Sequence, residues 1–198
     1  MLRHKGTLPL ETDRLFLRPM AMADAQAAYT NWCADTEVTR FLRWPAHGSL
    51  ADTQAVLKRW VDSYQDPAFY QWGIEVRETG QLIGTISVVD RDETTGTLHI
   101  GYCIGTPWWH QGYTSEAFQR VIRFLFDQVG ALRIECQHDP NNPHSGRVMA
   151  KCGLQYEGTL RQRDWSNQGI VDACLYSLLR EEYLQGGEKA RNHGVLGG

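Results

Sequence analysis

The chain has no run of about 18 consecutive apolar residues, so no membrane-spanning helix is expected. Its N-terminus, MLRHKGTLPLETDR, lacks the apolar stretch of a secretory signal, and the expected compartment is the cytoplasm. No C-x-x-C pair occurs. The five cysteines (Cys33, Cys103, Cys136, Cys152 and Cys174) are odd in number and widely spaced, which argues against a disulfide scaffold and a structural zinc site. Cys136, His138, His144 and Cys152 fit no common ligand spacing, so no metal is expected. An excess of positive charge is also missing. Lys+Arg 20 against Asp+Glu 23 leaves a net charge of −3, unlike a general nucleic-acid binder. Internal repeats, low-complexity blocks and long charge runs are absent, so nothing marks an interdomain linker.

What is present is enough apolar material, 42% of 198 residues, for the core of one domain. Strand-like alternation covers Leu15 to Arg18, Tyr70 to Val76, Gln81 to Val89 and Thr97 to Ile104. Further strands are expected at Leu132 to Gln137, Leu154 to Arg163 and Ile170 to Leu179. Helical spacing covers Asp24 to Asn31, Leu50 to Asp66 and Thr114 to Gln128. A fourth helix opens at Asn142-Pro143, with Asn as its cap, and closes at Gly153. FLRWPAHGS, between the first two helices, reads as a loop. The order is β-α-α-β-β-β-α-β-α-β-β: one α/β (α+β) domain over residues 9–180, with a mixed, mostly antiparallel sheet of about seven strands and about four helices. Residues 181–198 read as a partly disordered tail.

The segment GTPWWHQGYTSEA places a glycine-containing turn between a strand and a long amphipathic helix. Free amides and the helix dipole make such a junction an anion site. No Lys or Arg lies between Gly105 and Ser115, so a phosphate there would rest mainly on amides. A structural β-α turn accounts for the same pattern, because a lone glycine is neither a P-loop nor a dinucleotide fingerprint.

WWHQGYTSEA, preceded by HIGYCI and followed by NPHSGRVMAKCGL, resembles the GNAT superfamily of acetyl-CoA-dependent N-acetyltransferases. With LETDRLFLRPM and EGTLRQRDW…DACLYSLL, the resemblance is to the ribosomal-protein-alanine acetyltransferase (RimJ/RimL-like) branch and covers about residues 9 to 180. It implies a GNAT-type fold, acetyl-CoA as cosubstrate and no metal. It also implies that the family's pyrophosphate loop falls on Trp109 to Thr114, making Gln111, Gly112, Tyr113, Thr114 and Ser115 the candidate CoA-binding amides. Asn142 and Ser145 match the branch's Asn-x-x-Ser, with the Asn at the pantetheine arm and the Ser near the thioester sulfur. Many relatives place an acidic Tyr on this helix where the chain has Met149, so Ser145 becomes the candidate proton donor. Where relatives carry a Glu before the IGY triplet, this chain has His99, whose ordinary pKa near 6.5 suits proton acceptance around neutrality. His99 is therefore the expected base or its water-holding partner.

The family builds its acceptor pocket where Phe41, Trp44 and Trp72 fall, and Asp35, Glu37 and Asp90 are charge partners for an ammonium. Neither Cys103 nor Cys136 has an activating base beside it, so direct attack in a ternary complex is expected instead of an acyl-enzyme. The branch implies a protein N-terminal amine as acceptor. A small amine (amino acid, polyamine or antibiotic) and a non-catalytic CoA-binding sensor are the alternatives. No direct nucleic-acid or membrane partner is expected, and a homodimer is common among relatives.

Overall fold

A computed structural model describes residues 2–186. Strands β1 (Leu10–Glu11), β2 (Leu15–Pro19), β3 (Gln71–Val76), β4 (Gln81–Asp92), β5 (Thr97–Ile104), β6 (Arg133–His138), β7 (Gln155–Ser166) and β8 (Gly169–Leu179) make one sheet. Their spatial order is β1-β2-β3-β4-β5-β6-β8-β7, and only β5 and β6 run parallel. Eight strands replace the seven expected. The additional one, β1, has only two residues, too few to show alternation, yet it buries Leu10 and pairs it with Leu17.

Helix α1 (Ala25–Ala28) is led by a 3-10 turn at Met22–Asp24 and prolonged by a π turn at Tyr29–Cys33. The short helix α2 (Thr36–Thr39), absent from the sequence reading, is capped by Asp35, whose Oδ1 accepts the Glu37 amide at 2.8 Å. Helix α3 (Leu50–Ser63) starts at a capping box in which Ser49 and Asp52 satisfy each other's backbone amides. Helices α4 (Tyr113–Phe124) and α5 (Pro143–Lys151) follow β5 and β6. Residues 181–186, expected to open the tail, are helical together with Arg180, and residues 187–198 lie outside the described residues. Before residue 9, Leu2 and Thr7 are already buried.

The sheet is covered on both faces, which follows from the period of two along its strands. In β4, Ile83 packs with α4 residues Phe118, Val121, Ile122 and Phe124, whereas its neighbour Leu82 packs with Ala28, Trp32 and Leu57 on the other side. Each fully buried Leu or Phe of this kind contributes about 1.5–3 kcal/mol. No helix among the described residues is long and apolar enough to cross a membrane.

One irregularity positions the site. Strand β5 pairs with β6 only through Thr97, Leu98 and His99, opposite Arg133, Ile134 and Glu135. Beyond His99, β5 continues along β4 while β6 continues along β8. The two parallel strands therefore part in mid-sheet, leaving a wedge with α4 starting at one lip and α5 at the other.

Candidate active site

The wedge opens into a cavity of about 800 Å³. Among its lining residues are Phe41, Trp44, His99, Tyr102, Gly112, Thr114, Asn142 and Ser145. Residues from three distant stretches of sequence thus face one volume.

At the α4 lip, Gly112 is the N-cap, with φ +80 in the left-handed region that glycine adopts without strain. The first helical bond runs from the Glu116 amide to Gly112 O, which leaves the amides of Gly112, Tyr113, Thr114 and Ser115 without intrahelical acceptors. A Cβ on Gly112 would stand 3.5 Å from Arg14 Nη2 and 3.8 Å from Lys151 Nζ. Arg14 reaches in from the β1–β2 turn. It stacks over the Tyr113 ring at 4.5 Å, donates to Gln111 O at 3.1 Å and pairs with Glu116 at 2.6 Å. Burial works against the charge of Glu116, but hydrogen bonds from Thr12 and Arg14 prevail and hold its carboxyl below the ordinary range. Two cations from far along the chain therefore join the amides, and their remoteness explains why the local sequence shows none. The donor set suits a pyrophosphate. Gln111 differs from its neighbours: its side chain donates to Pro107 O and does not line the cavity.

Across the wedge, Asn142 makes no side-chain cap hydrogen bond, contrary to the expected capping role, and its amide is left for the cavity it lines. Ser145, in the first turn of α5, has its Oγ 3.0 Å from the Tyr102 hydroxyl, which also donates to Ser145 O at 3.1 Å. Burial raises the Tyr102 phenol well above its ordinary pKa of 10, so the hydroxyl keeps its proton and works as a hydrogen-bond donor. Tyr102 leaves no local signal in the sequence, where it is one more aromatic of a strand. Met149 is fully buried in the core.

His99 is the last residue before the strands part. Its Nδ1 lies 3.8 Å from Glu135 Oε2, an ion-pair distance too long for a hydrogen bond. Glu135 is its cross-strand neighbour and is also held by Arg133 Nε at 2.6 Å. His99 and Arg133 keep the Glu135 carboxyl down at about 2, against the opposing effect of burial. Because that value lies below the ordinary 4.5, the folded state binds fewer protons than the unfolded chain between the two. The stabilisation is complete above about pH 4.5, of order 2 kcal/mol, and is lost as pH falls toward 2. Melting temperature measured downward from pH 6 is therefore expected to fall more steeply for the wild type than for Glu135→Gln. Parallel curves would show that the pair carries no linked stability.

Phe41 and Trp44 line the far end of the cavity with Trp60 and Trp165. Trp72 does not. It is fully buried, stacks on Tyr70 at 5.7 Å and donates its Nε1 to Leu8 O, so its place is the core beneath α4. Of the three acidic candidates, only Glu37 faces the cavity. Asp35 caps α2 and accepts from Thr106, and Asp90 binds the Arg91 amide. Burial pushes the cavity thiols Cys103 and Cys136 up, so neither is a ready thiolate. No metal-holding group of three His, Cys, Asp or Glu occurs among the described residues.

The acetyltransferase (GNAT) domain family matches residues 14–155. The uncharacterised N-acetyltransferase YoaA of Bacillus subtilis is 34% identical over 171 residues, covering 86% of this chain and 96% of that protein. The ribosomal-protein-serine acetyltransferase of Escherichia coli is 29% identical over 171 residues, covering 84% of this chain and 93% of the other. In fold, the chain is similar to the microcin C7 self-immunity acetyltransferase MccE, solved in complex with acetyl-CoA and AMP. The TM-score is 0.76 over 85% of this chain and 93% of that one, at 20% identity.

Proposed function

The chain belongs to the acetyltransferase (GNAT) family, and on that footing we propose that it moves acetyl from acetyl-CoA to a protein N-terminal amine by direct attack in a ternary complex. The observation that carries the reading is the cavity in the wedge. It gathers His99, Ser145 and the free amides of α4 around one wedge, with an aromatic end beyond them. The name of the Escherichia coli relative supports a protein acceptor. The aromatic walls of Phe41, Trp44 and Trp165 suit the first side chain of a peptide.

The chain's own groups then divide the work. Gly112 to Ser115 bind the pyrophosphate through their amides, with Arg14 and Lys151 adding charge, while Asn142 meets the pantetheine arm. An attacking amine must be neutral, and His99 accepts its proton directly or through a held water. Backbone amides of β5 beyond His99, released from pairing with β6, polarise the thioester carbonyl. Ser145, backed by the Tyr102 hydroxyl, donates to the departing sulfur. Absence of a poised thiolate makes the direct route preferable to an acyl-enzyme.

The test is thiol release from acetyl-CoA over a panel of amines: short peptides with free Ala, Ser or Met N-termini, polyamines, amino acids and aminoglycosides. Turnover on the peptides is the expected result. Turnover confined to small amines would overturn the N-terminal assignment. No turnover at all, with acetyl-CoA still raising the melting temperature, would make the protein a CoA sensor.

A further inference from the structure

The acceptor end has a wall that the reaction scheme does not use. The turn between β7 and β8 is fastened to the end of α2 and the loop after it through Asn167. Asn167 Nδ2 donates to the carbonyls of Thr39, Leu42 and Trp44 at 2.7, 2.9 and 3.1 Å, and the Asn167 backbone amide also donates to Leu42 O at 2.9 Å. A second tie lies beside it. Asp164 accepts from Arg43 at 2.7 Å and from Gln137 at 2.6 Å, linking the loop to the end of β6, and the Arg43 guanidinium lies 5.6 Å over the Trp165 ring. Phe41, Leu42 and Trp44 on the loop, and Asp164 and Trp165 on the hairpin, all line the cavity.

The hairpin reaches the loop because β7 is not regular. Its register with β8 jumps between Leu160 and Asp164, and within the skipped residues Gln162 takes φ +51, held by its amide bonding to Asp172 at 2.8 Å. An insertion of this kind bends a strand and re-aims the residues beyond the bend. A non-glycine residue in the left-handed region is strained and persists where surrounding contacts hold it. Beyond the bend, Asp164 and Trp165 pair with Val171 and Ile170 of β8 while Asp164 and Asn167 bond to the loop.

We propose that the β7–β8 turn is a strap that fixes the shape of the acceptor end, and that Asn167 is its positioning residue for acceptor selectivity. The proposal rests on the assignment of Phe41 and Trp44 to the acceptor side. The two N–H groups of the Asn167 side chain, shared among three carbonyls, tie the last residue of α2 and the loop after it to the hairpin, beside the Asn167 backbone amide and the Arg43–Asp164 pair. Without that side chain, Phe41 and Trp44 lose their fixed separation from Trp165, and the cavity no longer discriminates by the group carrying the amine.

Asn167→Ala in the full chain tests this. Hydrogen exchange of the amides at 40–44 is expected to rise, and the acceptor KM to rise about tenfold, the equivalent of one or two neutral hydrogen bonds. The kcat, the acetyl-CoA KM and the thermal shift produced by acetyl-CoA are expected to stay within about twofold, since the α4 lip is untouched. The spread of kcat/KM across the amine panel narrows. Arg43→Gln, which cuts only the second tie, is a milder version with the same signature. An unchanged acceptor KM in Asn167→Ala overturns the proposal, as does a joint fall of acceptor and acetyl-CoA parameters in both variants. Failure of the N-terminal-amine reading has a different mark, an absence of wild-type turnover on peptides. The same comparison then runs on whichever small amine the enzyme accepts.

Discussion

His99→Gln is expected to lower kcat/KM by about 10²- to 10³-fold at neutral pH, the usual range for loss of a general base. Its acetyl-CoA affinity is expected to stay near wild type, and its melting temperature to fall only by the share of the Glu135 stabilisation that His99 supplies. The separation follows from geometry. The imidazole is four-fifths shielded and faces the cavity, but it makes no hydrogen bond on which the fold depends, only the 3.8 Å ion-pair contact with Glu135. Glutamine keeps the length and polarity of the side chain and removes its capacity to accept a proton. Wild-type turnover by His99→Gln across about pH 6 to 9 would remove His99 from the proton path.

The same geometry favours a histidine over a glutamate at position 99. Position 99 stands directly opposite Glu135 in the parallel pair, and Glu135 is committed to Arg133 and stays ionised at working pH. A second carboxylate at 99 would face it as a like charge, which disfavours ionisation of one of the two. His99→Glu is accordingly expected to be a poor substitute. A base that is neutral before it accepts its proton avoids that repulsion.

Much of this arrangement is legible in the sequence wherever a local pattern carries it. Alternation and helical spacing place seven strands and the long helices close to their observed bounds, because burial on one face is a local signal. The α4 junction is also legible, since Gly112 and the helix start are adjacent in sequence. Groups brought in from a distance leave no such trace. Arg14 and Lys151 reach Gly112 only because β1–β2 and the end of α5 pack beside it. Tyr102 acquires its role from Ser145, forty-three residues away, and Asn167 from a loop more than a hundred residues earlier. Trp72 is the reverse case. Its type and neighbourhood suit a pocket, but period-two geometry turns it inward against Tyr70 and Phe124.

Those two remote cations give the second large effect. Lys151 is exposed and lies beside the free amides of α4, so Lys151→Met removes one screened charge and is expected to weaken acetyl-CoA binding about five- to tenfold. Arg14→Met is expected to cost more, about thirtyfold, because two changes act in the same direction. The guanidinium is lost. Glu116, now without its partner at 2.6 Å, also presents an unpaired carboxylate at the very helix end where a pyrophosphate must sit. Arg14→Met with Glu116→Gln should then recover part of the loss, which a purely additive pair of deletions would not. Raising the salt to about 0.5 M should narrow every one of these gaps, since the groups are solvent-screened. Titration of acetyl-CoA by calorimetry reads all four proteins on one scale. Equal affinities for Arg14→Met and Lys151→Met would show that Glu116 does not oppose the ligand. Wild-type affinity in both would leave the pyrophosphate to the backbone amides alone, as the local sequence by itself implies.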